Sequence, residues 1–142
     1  MQLTTKGRYA VTAMLDLASN DSTKPVTLDM ISQRQNISLS YLEQLFAKLR
    51  KASLVRSVRG PGGGYLLNVN AVDVTLTQII EAVDENIDLR RCHGSKDCLR
   101  GKQCLSHHLW CEVSDQIRGF LSTRNLQQVI DDYKINQDIQ LH

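Results

Sequence analysis

The sequence predicts a mainly α fold with a small two-stranded wing and a long additional helix. Three observations predict it. Apolar residues recur at helical spacing through most of the first fifty of 142 positions. The period falls to two on either side of a glycine-rich turn near residue 60. Leu105, Leu109, Val113, Ile117 and Leu121 then step by four, the spacing of one helical face.

Each element has a local reason. From Thr4 to Ser19, the residues Tyr9, Ala10, Ala13, Met14, Leu17 and Ala18 share a face, and NDSTKP ends this first helix as a turn cluster. Thr27 is placed to cap a second helix, VTLDMISQRQ, with Leu28 and Ile31 on one side. NISLS breaks the pattern, and Ser40 is expected to cap a third helix, YLEQLFAKLRKAS. Its stripe is Leu42, Leu45, Phe46 and Leu49. LVRSV and YLLNV alternate as strands around RGPGGG, which predicts a hairpin. Thr75 or Thr77 opens a fourth helix carrying Leu76, Ile79, Ile80 and Val83. A cysteine-rich loop, the long helix over 105–122 and a short helix over Leu126–Tyr133 follow, with the last residues expected to fray.

Helix, helix, turn, helix and two-stranded wing is the order of a winged helix-turn-helix, here assigned to residues 1–85. Charge agrees with an anionic partner for this half. Residues 1–60 carry nine Lys/Arg against four Asp/Glu, whereas residues 61–142 carry eight against eleven. In such a motif the third helix would lie in the major groove of double-stranded DNA. Ser38, Ser40 and Tyr41 stand at its start, where hydroxyls and free N–H groups can hold phosphates. Glu43 and Gln44 project from its first turn. A glutamate can only accept, so its productive partner is a cytosine amino group, while glutamine can pair with adenine. The loop of Arg59, Gly60, Pro61 and Gly62 lacks the Gly-Lys-Ser/Thr ending of a nucleotide-binding loop and is followed by a strand. It suits a narrow minor groove, with Arg59 drawn to its negative potential.

No apolar run approaches the ~20 residues that cross a bilayer, and the first residues read as a helix containing Asp16, so no membrane partner and a cytoplasmic location are expected. In that compartment structural disulfides are disfavoured. All four cysteines fall within residues 92–111, which points to metal or redox chemistry. Zinc accepts such ligands, and so do iron–sulfur clusters. No arrangement expected of a cysteine nucleophile is evident, so the chain is not expected to be an enzyme.

LTTKGRYAVTAMLDLA, ISLSYLEQLFAKLRKASLV, SVRGPGGGYLL and the pattern Cys92-x5-Cys98-x5-Cys104-x2-His107 occur in that order. Together they closely resemble the IscR family of bacterial iron–sulfur cluster-dependent transcriptional regulators, over about residues 1–121. The resemblance implies a winged-helix homodimer that holds one [2Fe–2S] cluster per subunit. It implies Cys92, Cys98, Cys104 and His107 as ligands, and the iron–sulfur assembly machinery as the source of the cluster. It also implies promoter choice that depends on the cluster, including repression or activation of cluster-biogenesis genes. His93 and His108 are rival imidazoles, and Cys111 follows His107 by one helical turn on the same face. Cys111 either lends a thiolate or is a buried apolar cysteine.

On this division, residues 86–104 are the cluster-binding loop and residues 105–142 the dimerisation helix and tail. The stripe of the long helix is wider than one small domain needs. It is therefore expected to pair with its counterpart about a two-fold axis, matching pseudo-palindromic promoter sites. Two other functions use the same residues: a winged-helix protein stapled by structural zinc, and an iron–sulfur carrier or redox protein without specific DNA binding.

Overall fold

The computed structural model describes residues 5–85 and 102–141. In chain order it contains α1 (Thr5–Ala18), α2 (Leu28–Gln35), α3 (Leu39–Lys51), β1 (Val55–Val58), β2 (Gly64–Leu67), a single 3-10 turn over Ala71–Asp73, α4 (Leu76–Ala82), α5 (His107–Ser122) and α6 (Leu126–Leu141). This is the expected mainly α fold with a two-stranded wing.

Helix starts are set by side-chain caps. Thr27 Oγ1 accepts from the Met30 amide at 3.2 Å, as expected. The start of α3 differs from expectation: Ser38, not Ser40, is the cap, its hydroxyl accepting from the Tyr41 amide at 3.2 Å. Ser38 has the extended backbone that a cap requires, and Ser40 already lies within the first turn. Thr75 rather than Thr77 opens α4, in a reciprocal pair with Gln78. Thr77 is inside the helix, 2.9 Å from the hydroxyl of Ser122 at the end of α5. Asn125 and Gln128 exchange the same two bonds at the start of α6. The two caps also meet: Thr75 and Asn125 form an antiparallel bridge, with Leu76 N–H on the Arg124 carbonyl and Leu126 N–H on that of Val74.

That bridge explains the length of α6. Residues beyond Tyr133 continue as helix to Leu141 instead of fraying, because a capped first turn with Leu126 and Ile130 buried nucleates a helix that then propagates.

α1 is the central element, packed by α2, α4, α6 and β2. Ala10, Ala13 and Met14 of α1 are fully buried, with Ile31 of α2 and Leu42, Phe46 and Leu49 of α3 around them. The Phe46 ring lies 4.9 Å from that of Tyr65 on β2, so the third helix and the wing share one contact. α1 also carries a buried acid, Asp16. Arg34 of α2 grips it with two bonds of 3.0 and 2.7 Å, and Gln35 adds a third at 2.8 Å. Burial pushes the Asp16 carboxyl up, but the bonds from Arg34, Gln35 and Asn20 outweigh it and hold its pKa below the ordinary value.

β1 and β2 pair antiparallel from Val55–Leu67 to Val58–Gly64. Val26 adds a third extended residue to this hairpin, exchanging two backbone bonds with Tyr65 at 2.9 and 2.7 Å. A single bridging residue has no periodicity, so the sequence carries no sign of it.

Candidate nucleic-acid interface and metal-binding corner

The helical period of α3 that buries Leu42, Leu45, Phe46 and Leu49 places Ser40, Glu43, Gln44, Ala47 and Lys51 together on the opposite, exposed face. Ser38 is exposed beside them. Tyr41 differs from its neighbours: it is half-buried, and its ring stands edge-on to Tyr9 of α1 at 5.8 Å. Its amide is engaged by Ser38, so neither ring face nor N–H is as open as the sequence suggests. The last turn is basic, with Lys48, Arg50 and Lys51, which complements the helix dipole.

Arg59, Gly60, Pro61 and Gly62 are all exposed at the wing tip. The Gly63 amide donates to the Gly60 carbonyl at 2.9 Å, and Gly62 has φ 73°. Proline followed by a residue with positive φ is the requirement of a type II turn. At the base of the wing, a Cβ on Gly64 would lie 2.5 Å from the Val26 carbonyl oxygen. These glycines therefore serve the hairpin's geometry. Arg59, with Arg56 exposed on β1, supplies its charge. Arg56 was missed by the sequence reasoning, since alternation marks its side of the strand without saying what faces it.

The other candidate corner is the start of α5. Cys92 and Cys98 lie outside the described residues, as do His93 and all of 86–101. Cys104 is half-buried and His107 is 4% exposed. The His107 amide donates to the Cys104 carbonyl at 3.1 Å, which folds the two residues into one turn. Ser106 Oγ lies 3.7 Å from the Cys104 sulfur and accepts from the Trp110 indole at 2.9 Å. The Cys111 sulfur lies 3.4 Å from His107 Nε2, while His108 is exposed and stacks edge-on against His107. Cys104, His107 and Cys111 follow one another along the start of α5 and are of the donor types that iron–sulfur clusters and zinc accept. Among the described residues no group of three or more potential ligands is assembled around a single point.

An exposed ion pair links α3 to the end of α4. Lys48 Nζ of α3 lies 2.8 Å from Asp84 Oδ2, just beyond α4 and ahead of residues 86–104. The Lys48 bond holds the Asp84 carboxyl below its ordinary pKa, and the same bond raises that of Lys48.

Along α5 the expected dimerisation residues are only partly covered. Leu105 precedes the helix and is fully exposed, Leu109 is exposed, and Val113, Ile117 and Leu121 are half-buried. Trp110 and Phe120 flank them, both exposed. No helix among the described residues is long and apolar enough to cross a membrane.

Residues 3–132 match the Rrf2 family, described as iron-dependent transcriptional regulators. The chain belongs to the Rrf2 family. Within it, the chain is similar to the HTH-type transcriptional regulator IscR of Photorhabdus laumondii, with 54% identity over 95% of this chain and 82% of the relative. The regulator of the same name from Vibrio atlanticus is 53% identical over 99% of this chain and 84% of its own length. Among solved structures, T. potens IscR superposes with a TM-score of 0.78 at 37% identity, covering 96% of this chain and 91% of that one. CymR, the global cysteine regulator of B. subtilis, superposes at 0.79 with 32% identity, over 92% and 97%. The IscR-type resemblance is thus supported over almost the whole chain, beyond the residues that first carried it. As an Rrf2 protein it is a DNA-binding transcriptional regulator and not an enzyme.

Proposed function

We propose that this Rrf2 regulator binds pseudo-palindromic promoter DNA as a homodimer. A [2Fe–2S] cluster, one per subunit, switches its choice of promoter among genes of iron–sulfur cluster biogenesis. Cys92, Cys98, Cys104 and His107 would hold the cluster, which the cell's iron–sulfur assembly machinery supplies in the cytoplasm. The observation that carries this reading is the corner at α5: Cys104 and His107 are folded into one turn, His107 is buried, and the half-covered apolar face begins one turn later. The family description as iron-dependent supports it from outside the structure.

When bound, the cluster supplies a reversible covalent link between the loop and the start of α5. Everything else is done by the chain's own residues. α5 presents Leu109, Val113, Ile117 and Leu121 to a second copy, fixing the spacing of two recognition helices. Ser38 and Ser40 hold phosphate, Glu43 and Gln44 meet base edges, and Arg59 reaches the minor groove. Lys48 and Asp84 tie α3 to the end of α4, the element that precedes the loop. In place of a thiolate, the His107 imidazole would remove one negative charge from the bound cluster and so raise its reduction potential.

Anaerobic purification with iron, acid-labile sulfide and zinc analysis, and a visible absorption spectrum, tests this directly. Equal iron and sulfide with charge-transfer bands is the expected result. Stoichiometric zinc without sulfide would make the loop a structural staple. Fast cluster transfer with no sequence-specific DNA binding would make the chain a carrier.

A further inference from the structure

Asp84 occupies a position that local structure disfavours twice. Its amide donates to the Glu81 carbonyl at 3.0 Å, and the Glu85 amide donates to that of Ile80 at 3.2 Å. α4 therefore ends in a Schellman motif with Asp84 at the left-handed residue, where φ is 63°. Glycine or asparagine adopts that conformation more readily than aspartate. The carboxylate also faces the negative end of the helix dipole. What the position offers an acid lies on α3. Lys48 Nζ is 2.8 Å from the carboxylate, and the charges of Lys48, Lys6 on α1 and Lys51 on α3 all act on it. Lys48 follows Gln44 by one helical turn, so it borders the exposed face that carries Glu43, Gln44 and Lys51. The two paired side chains are 38 and 73% exposed, which leaves Lys48 within reach of a third group. An ion pair this open contributes little to the fold, so stability does not account for the acid.

We propose that Lys48 is a contact to the DNA phosphate backbone beside the recognition helix, and that Asp84 occupies it in the free protein as a stand-in for phosphate. This rests on the reading of α3 as the helix that enters the major groove. Binding exchanges one anion for another. Lys48 leaves the carboxylate for a phosphate oxygen, and Asp84 is left to repel the same strand. The exchange subtracts from every DNA sequence alike, because phosphate contacts carry no sequence information. Asp84 thereby lowers non-specific binding, and only sites that also supply base contacts to Glu43 and Gln44 bind tightly.

The test is a fluorescence-anisotropy titration of the full chain against a labelled duplex of mixed sequence, repeated across a series of KCl concentrations. Wild type, Asp84→Asn, Lys48→Met, the double variant and Arg59→Ala are compared, each with its melting temperature. Asparagine suits the left-handed position and methionine keeps the apolar stem of Lys48, so no melting temperature should fall. Asp84→Asn is expected to bind at least about five-fold tighter at low salt. Its salt dependence should be steeper by up to about one ion per subunit, since no freed carboxylate takes a cation back from solution. Lys48→Met is expected to bind more weakly, and Asp84→Asn in that background should lose most of its gain. If the whole gain persists without Lys48, Asp84 acts by repulsion alone and the proposal fails. It fails too if either single variant binds as wild type does. Wild-type binding that Arg59→Ala weakens would then leave the DNA-reading half standing, whereas a wild-type chain that binds no duplex overturns both. Should Asp84→Asn lower the melting temperature, Asp84→Gly, which the left-handed residue also accepts, takes its place.

Discussion

In α3, Leu42, Leu45, Phe46 and Leu49 are between 0 and 2% exposed, whereas in α5 an equally regular series leaves Leu109 52% exposed and Val113, Ile117 and Leu121 half-buried. Both helices have strong apolar periodicity. One stripe is closed by other elements of the same chain, and the other stays partly exposed, the face proposed above to meet a second copy. Periodicity states which residues share a face. Whether that face is already covered is a property of the whole fold.

Substitutions can break that contrast, and the largest effect belongs to α3. Phe46→Ala removes a fully buried ring that joins the helix to the wing, and urea unfolding is expected to show a loss of about 3–5 kcal/mol. A loss below about 1 kcal/mol would mean the two elements do not share a core. Ile117→Glu on α5 should do the reverse. Dimer is expected to give way to monomer in sedimentation velocity, while the unfolding free energy of the chain changes by only about 1 kcal/mol, since a half-exposed side chain is replaced. A dimer that survives Ile117→Glu would place the interface elsewhere.

Asp16 sharpens the description of the closed half. Its folded pKa is depressed below the ordinary 3.8, so its contribution is present above that value and is lost as pH falls through the folded pKa. Asp16→Asn should cost about 2 kcal/mol at pH 7, discounted for the partly exposed Arg34, and the gap from wild type should close in acid. A gap unchanged at pH 2 would remove the charge from the explanation. Replacing Gln44 and Arg59 together by Ala is expected to abolish specific binding in DNA titration, with about 1–3 kcal/mol of the loss from the base contact of Gln44. The smallest change in affinity belongs to Glu43→Ala, which should relax discrimination between sequences. A uniform weakening across sequences would contradict its assigned role.

Much of this was legible beforehand because it is written in local signals. Thr27, the stripe of α3, the hairpin and the i, i+4 series of α5 follow from caps, periods and turn residues. What was not legible depends on distant partners. Val26 joins the wing through two backbone bonds, and Tyr41 is turned toward Tyr9, with no trace of either in spacing. α6 extends to Leu141 because its start is bridged to that of α4, a contact between residues fifty positions apart. The Ser38 cap was missed for a different reason. Ser38 and Ser40 are both good caps by residue type, and only the backbone angles choose between them. At the start of α5, the spacing of the cysteines and histidines could be read in advance, and the 3.4 Å approach of Cys111 to His107 could not.

The central claim is that one chain reads DNA differently with and without its metal group. The most direct measurement is selection from a random-sequence duplex pool, run in parallel with anaerobic cluster-loaded protein and with the metal-free chain. Two distinct two-fold symmetric motifs, with the difference abolished in Glu43→Ala, are predicted. One motif enriched equally by both forms would contradict the switch and leave a regulator whose cluster does not set its choice of site.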